Sequence, residues 1–437
     1  MDWVAVLGLI GAPFAILLVL GMPVGFTFLF IMLTASIFLM GSPLGPHSTI
    51  LSLYNSIGIF SIVPVPLFVL MGNVLLHSGL AMRSIEALGK VVGRLPARLA
   101  ILSNLAGGLF GLLSGSTMAS TAVIGQVLGP EMRKRGYAKA MTYGPILASG
   151  GLAMVIPPSS LAIIYGTVAE VPIGRLLIAG LIPGFLMMMN YIVLILVRVK
   201  INPSLAPEYQ VSGISVAEKI KILFTDIMPL AILVFLVTGV FVIGLATPTE
   251  AAALGALGTI VVAKIYKCLT LENFLKSVKG TVSITAMVLL IVGGSDIFSR
   301  LLSYSGATRE LVSFIISLNL PPYALLAVMM FIILVLGCFM ESVPIMMVTI
   351  PLFAPIVKYL GFDPIWFGVI MLICLEIGLT TPPFGLLLFV LKGVASHDVT
   401  TTDLYRAALP FVCCDLFAAI LVISFPPLAL WLPNLLM

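Results

Sequence analysis

The chain has 437 residues, of which 61% are hydrophobic and 9% charged. No water-soluble fold of this length buries that much apolar surface, so lipid must solvate the chain and a polytopic membrane protein is expected. The net charge of +5 is best read through where the basic residues sit along the chain, and nucleic-acid binding has no support.

The first apolar run, Trp3 to Leu20, has neither a basic leading segment nor a polar cleavage segment after it, and is expected to be a true span. Further spans are expected near 23–41, 55–78, 140–170 and 176–198. Between Leu80 and Arg94, the residues Arg83, Glu86, Lys90 and Arg94 recur at helical spacing opposite Ala81, Met82, Ile85, Leu88 and Val92. That pattern predicts a helix along the membrane surface, either a simple connector or an arm between a static frame and a moving part. The next stretch holds 32 uncharged residues between Arg98 and Glu131, and its centre, "LLSGSTMASTA" (Leu112 to Ala122), is its most polar part. Arg83, Lys90, Arg94 and Arg98 precede it and Arg133, Lys134, Arg135 and Lys139 follow it, so the positive-inside rule puts both ends in the cytoplasm. A re-entrant helical hairpin over about 97–132 is expected, its tip at Ser114–Thr117.

The chain repeats itself at a shift of about 225 residues. "GMPVGFTFLF" (Gly21 to Phe30) matches "ATPTEAAALG" (Ala246 to Gly255), and "MVIPPSS" (Met154 to Ser160) matches "GLTTPPF" (Gly378 to Phe384), each of the latter with a Pro-Pro pair. The expected domains are a first repeat over 1–199, with a broken helix near 140–170, a cytoplasmic linker over 200–226, and a second repeat over 227–437. The second repeat would carry its own hairpin at about 321–359, with "GCFMESVP" (Gly337 to Pro344) at the tip, and a broken helix at about 364–394. An odd number of crossings per half makes the repeats inverted and puts both termini outside. All but four of the 22 basic residues then face inside, the exceptions being Arg175, Arg300, Arg309 and Lys358.

Each half therefore has two interruptions able to meet at mid-membrane. A Pro-Pro pair frees carbonyls that need a partner, and a hard cation such as Na⁺ is one. Half-helix N-termini suit a substrate carboxylate. Ser114, Ser116, Thr117, Ser120 and Thr121, with Ser159 and Ser160, are candidates for one ion and substrate site; Glu341, Ser342, Thr380 and Thr381, with backbone near Gly337 and Gly385, for the other. The competing reading is that small hydroxyl residues only let helices pack closely and bond back to their own backbone. Glu250, Asp296, Glu341, Glu376 and Asp415 lie in apolar segments, where a carboxylate is costly enough to count as a functional candidate, although Glu250 also fits a capping box with Thr247. Cys268, Cys338, Cys374, Cys413 and Cys414 have no metal or disulfide spacing and read as packing residues. No phosphate loop, zinc-protease or serine-hydrolase motif is found.

In order, "GLLSGSTMASTAVIGQVLGPEM", "YGPILASGGLAMVIPPSS", "ATPTEAAALGALG", "CFMESVPIMMVTIPLFAPI" and "GLTTPPFGLLLFVLKGV" resemble the large membrane (M) subunit of tripartite ATP-independent periplasmic (TRAP) transporters, over essentially the whole chain. The resemblance implies a sodium-driven elevator of the ion transporter superfamily in a bacterial inner membrane. It also implies a small membrane (Q) subunit, a periplasmic substrate-binding protein and a small organic anion as substrate, with Na⁺ as coupling ion and no resident cofactor. The family's sodium sites map onto Ser114, Gly115, Ser116, Pro157 and Ser159, and onto Gly337, Glu341, Thr380, Thr381 and Gly385. Leu387 stands where many members have Asn. Two other readings are a stand-alone Na⁺- or H⁺-coupled carboxylate carrier of the same superfamily and, more remotely, an intramembrane enzyme using Ser116 with a buried acid.

Overall fold

Proline and glycine punctuate an almost continuous series of apolar helices. The structure, a computed structural model, describes residues 3–91, 95–207 and 215–437, and every regular element among them is helical. The first half runs α1 (Trp3–Val19), α2 (Val24–Met40), α3 (Leu44–Ile57), α4 (Pro64–Ser78), α5 (Leu80–Val91), α6 (Arg98–Ser114), α7 (Thr117–Lys134), α8 (Lys139–Val155), α9 (Ser160–Val168), α10 (Ile173–Ala179) and α11 (Leu181–Ile201). The second runs α12 (Ala217–Val242, with two π-helical stretches), α13 (Pro248–Ile265), α14 (Leu271–Ser305), α15 (Ala307–Ser317), α16 (Pro322–Gly337), α17 (Ser342–Tyr359), α18 (Pro364–Thr380), α19 (Leu386–Val394), α20 (Thr401–Ser424) and α21 (Pro427–Leu436). Among the described residues, eight helical segments are long and apolar enough to cross a membrane. The protein is thus an all-α, multi-pass membrane protein.

The element order recurs between the halves. Helix α4 ends and α5 begins around Gly79 at φ +75°, and α14 ends and α15 begins around Gly306 at φ +76°, a backbone angle that only glycine adopts without strain. In each case a paired-helix unit follows, α6–α7 or α16–α17, and then a helix interrupted at Pro-Pro, α8–α9 or α18–α19.

Two features differ from the sequence reading. The span expected at 55–78 is split: α3 stops at Ile57 before Gly58, a 3₁₀ turn covers Phe60–Ile62, and α4 starts at Pro64, where a missing N–H costs nothing. Helix α3 itself, mixed in polarity, is fixed to α2 by Thr49 donating to the Ser36 hydroxyl at 2.9 Å. The polar stretch 200–226 is also not all linker: the first turns of α12 are helical from Val216, with Ser215 accepting from the Glu218 N–H at 3.1 Å. Residues 208–214 of that stretch, and Val92 and Arg94 of the amphipathic segment, lie outside the described residues. Within α5, Leu80, Ala81 and Ile85 are buried, while Arg83 pairs with Asp226 of α12 at 2.5 Å and lies over the Tyr266 ring at 4.5 Å.

Small residues decide which helix occupies the centre. The α8–α9 segment is 94% buried along its apolar stretch, against 22% for α12. Helix α8 packs against α6, α7, α11, α18 and α20. Close approach needs missing side chains. A Cβ on Gly107 of α6 would lie 2.4 Å from the Ser149 hydroxyl, and one on Gly144 of α8 would lie 2.6 Å from the Ala407 carbonyl. A second group is built from α2, α3 and α4 around the long α14, with α13 packed on α4.

This packing distinguishes two glycine substitutions. Gly107→Ala overpacks the α6–α8 contact by about 1–3 kcal/mol and lowers the melting temperature in detergent. Gly11→Ala, on a face of α1 with nothing within 4 Å, leaves it unchanged or raises it slightly. Equal melting temperatures for the two variants would contradict the packing described.

Candidate functional site

The first interruption lies between α6 and α7. Gly115 closes α6 in the left-handed region at φ +57°, and Ser116 starts α7 by accepting the Ala119 N–H at 3.3 Å. The break between α8 and α9 is built the same way, with Ser159 after the Pro157–Pro158 pair accepting the Ala162 N–H at 3.2 Å. These two interruptions touch: a Cβ on Gly115 would sit 2.8 Å from the Ser160 hydroxyl and 3.8 Å from the Pro158 carbonyl.

The second half repeats this contact with different residues. Gly337 at the end of α16 lies backbone to backbone against Gly378 of α18, where a Cβ would be 2.7 Å from the Gly378 Cα. Phe339 of the tip packs on Phe384 of the break with ring centroids 5.6 Å apart. Gly385 is folded under the break, leaving 2.8 Å between a Cβ there and the Thr381 carbonyl.

Both tips open on one cavity of about 150 Å³. Ser114, Gly115, Ser116 and Thr117 line it from one side, and Glu341 and Ser342 from the other. The N-terminal ends of α7 and α17 therefore face the same space, and among the described residues that line it there is no lysine, arginine or histidine. The hydroxyls of Ser160 and Ser342, both lining residues, are buried without a hydrogen-bond partner in the protein. Such hydroxyls are ready to bond a ligand or water. Helix N-termini and neutral hydroxyls favour an anion in this space, whereas the Glu341 carboxylate, the one charged lining group among the described residues, favours a cation.

Residues 12–428 match the family of the DctM component of tripartite ATP-independent periplasmic transporters. The chain belongs to this family. It is 33% identical over 399 residues, 91% of each chain, to the C4-dicarboxylate TRAP transporter large permease protein DctM of Pseudomonas aeruginosa. It is 31% identical to the sialic acid TRAP transporter large permease protein SiaM of Vibrio cholerae, over 99% of this chain and 98% of that one. The fold is shared with the YdaH transporter of Alcanivorax borkumensis at a TM-score of 0.65 and 14% identity, covering 92% of this chain and 98% of that one. This TRAP permease is a transport subunit and not an enzyme.

The remaining candidates divide sharply. Ser120 turns away from the cavity to the Gly107 carbonyl at 3.4 Å, because it lies on the face of α7 that packs against α6. Thr121 is buried against Gly150 of α8 with its hydroxyl unpartnered. Thr380 bonds back to the Glu376 and Ile377 carbonyls at 3.1 Å, and Thr381 to the Ile377 carbonyl, the local pattern of a helix-interior threonine. Pro157, Ser159, Gly337, Thr380, Thr381 and Gly385 flank the cavity through the breaks without lining it. Among the acids, Glu250 completes a capping box with Thr247, receiving the Thr247 N–H at 2.8 Å, and Asp296 pairs with Arg300 at 2.9 Å, so both have structural partners away from the cavity. Asp415 is buried and accepts the Tyr191 hydroxyl. Glu376 is buried against Gly151, where a Cβ would lie 1.5 Å from its carboxyl oxygen, and neither oxygen has a hydrogen-bond partner in the protein.

Several residues escaped the sequence reading. Thr238 of α12 donates to the Pro157 carbonyl at 3.3 Å, and Tyr405 of α20 donates to the Pro383 carbonyl at 2.6 Å, so each Pro-Pro break receives a hydroxyl from another helix. Gly72 and Asn73 of α4 line the cavity opposite the tips. Asn73 had a signal, an amide inside the apolar run "PLFVLMGNVLL". Thr238 and Tyr405 had none, since only tertiary packing brings them to the breaks.

Cysteines placed at these positions report the geometry. Ser342→Cys and Ser114→Cys should react with a small polar thiol reagent in membranes, on a background lacking the five native cysteines, whereas Ser120→Cys stays unmodified. Equal modification at all three positions would mean that the tip is not seated as described.

Proposed function

We propose that this chain is the permease subunit of a Na⁺-coupled, binding-protein-dependent importer of a small organic acid across a bacterial inner membrane. The observation that carries the reading is the paired contact of each tip with a Pro-Pro break, both around one cavity that has helix N-termini but no basic side chain. Freed carbonyls and hydroxyls at each tip-and-break pair suit Na⁺, with Ser114, Gly115, Ser116, Pro157 and Ser159 around one ion and Gly337, Glu341, Thr380, Thr381 and Gly385 around the other. Sodium at these positions adds positive charge beside the cavity, and an organic anion then binds between the N-termini of α7 and α17. The relatives named for C4-dicarboxylates and for sialic acid both handle organic acids, which supports that substrate class.

The inverted orientation of the halves is supported by which charged and polar residues meet. Residues that the basic-residue count puts outside contact each other: the Trp3 N–H donates to Glu310 at 2.7 Å, and Arg175 donates to Asn434. Those put inside do the same, with Arg133 on Asp398 at 3.3 Å and Lys139 on Asp403 at 2.9 Å. Both termini then lie in the periplasm. In this reading α6–α9 and α16–α19 slide as one body past the frame built around α14, and a small membrane (Q) subunit and a periplasmic binding protein complete the tripartite system.

Uptake by proteoliposomes containing the permease and its Q subunit, with the binding protein added, should require an inward sodium gradient. Ser116→Ala and Thr381→Ala should each raise the half-saturating sodium concentration roughly three- to tenfold, through loss of one oxygen ligand or its support, with expression intact. Uptake that follows a proton gradient and ignores sodium overturns the coupling, and uptake without any binding protein favours a stand-alone carrier.

A further inference from the structure

The wall of the cavity opposite the tips is almost wholly apolar. Helix α4 contributes Val65, Val69 and Leu76, and α14 contributes Ile284, Met287 and Val288. Asn73 is the one polar side chain in this wall among the described residues. We infer that Asn73 is a substrate-positioning residue: it hydrogen-bonds the transported acid from the frame side of the cavity and sets substrate affinity without taking part in sodium binding. This inference rests on the transport reading above and adds a residue to its site.

Asn73 is held in one orientation. Its amide nitrogen donates to the Thr281 hydroxyl at 3.1 Å, Thr281 donates to the Ser277 carbonyl at 2.8 Å, and the Ser277 hydroxyl donates to the Asn73 backbone carbonyl at 3.1 Å. The amide lies flat on Gly280, where a Cβ would come within 3.3 Å of its oxygen. An asparagine amide carries two N–H donors and one carbonyl acceptor. One donor is used by Thr281; no other hydrogen bond to the amide is seen among the described residues, and Asn73 lines the cavity. A residue serving only to hold α4 to α14 would spend its amide between the two helices. Asn73 holds the two helices together and, being only partly buried, also lines the space where the tip hydroxyls converge.

The chemistry of the cavity makes this amide matter. With no basic side chain in the lining and the Glu341 carboxylate as its one charged group among the described residues, a substrate anion must be bound by neutral donors and by the cation proposed beside Glu341. All the others, the ends of α7 and α17 and the hydroxyls of Ser160 and Ser342, belong to the hairpins and breaks. Asn73 alone sits on the other body. Its neighbour Gly72 touches the first tip directly, a Cβ there lying 2.6 Å from the Ser114 carbonyl. Any sliding of the tip past α4 breaks that contact and carries the substrate away from Asn73. The amide therefore acts at one end of the transport cycle.

The test is uptake of radiolabelled succinate and of sialic acid by proteoliposomes holding the complete transporter with its binding protein, comparing wild type with Asn73→Ala, Asn73→Ser and Asn73→Asp. Asn73→Ala should raise the substrate KM about tenfold at unchanged half-saturating sodium. Asn73→Ser, which keeps a donor, should recover part of that loss, and Asn73→Asp, which sets a negative charge against the substrate anion, should abolish uptake. A role in packing alone would lower maximal uptake and melting temperature with no change in KM. The inference is overturned if Asn73→Ala and Asn73→Ser both keep KM within twofold of wild type. Protection of Asn73→Cys from a thiol reagent by the transported acid, measured in membranes, gives a second reading independent of turnover, and absence of protection counts against the inference. Wild-type uptake without a sodium requirement would overturn the coupling proposal alone, because the KM comparison holds under whichever cation drives transport.

Discussion

In a hydrocarbon solvent each backbone N–H and C=O must find its partner inside the protein, and the structure depends on how this chain meets that demand where its helices stop. Four interruptions are placed in the interior, two tips and two Pro-Pro breaks. Each tip is seated against the break of its own half, Gly115 on Pro158 and Ser160, Gly337 on Gly378. The loose ends of one element become the surroundings of another. Hydroxyls imported from elsewhere, Thr238 on Pro157 and Tyr405 on Pro383, satisfy part of what remains.

That arrangement sorts the polar side chains into two kinds. Ser120, Thr380 and Thr381 donate their hydroxyl protons to helix carbonyls, so their side chains have no donor left for a ligand. Ser160 and Ser342 keep theirs free beside the cavity. Spacing alone does not separate the kinds, because both occur within one turn of an interruption. What separates them is the direction each position faces once α6, α7 and α8 have packed, and the glycines and alanines of α8 set that direction by letting its neighbours come within backbone reach.

The buried acids follow the same logic. Glu250 and Asp296 have nearby partners and stay at helix surfaces, so their cost is small. Glu376 and Asp415 are enclosed between helices of both halves, where Asp415 is met by Tyr191 and Glu376 is met by the bare backbone of Gly151. They belong to the seam that joins the repeats and not to the cavity.

The sequence by itself determined the solvent, the helical class and the approximate place of the two tips and the two Pro-Pro breaks, because hydropathy and proline pairs are local properties that survive without coordinates. It also marked the Ser-Gly-Ser-Thr tip and the "GCFMESVP" tip, since polar residues inside an uncharged apolar run stand out in one dimension. It did not separate α3 from α4, as the glycine and prolines there read equally well as a bend within one span. Only the tertiary structure decided which hydroxyls face the cavity, which acids lie in the seam, and that Asn73 and Gly72 of α4 close the site from the opposite side. Those are relations between residues far apart in the chain, set by how closely small residues let helices approach, and no pattern along a single helix encodes them.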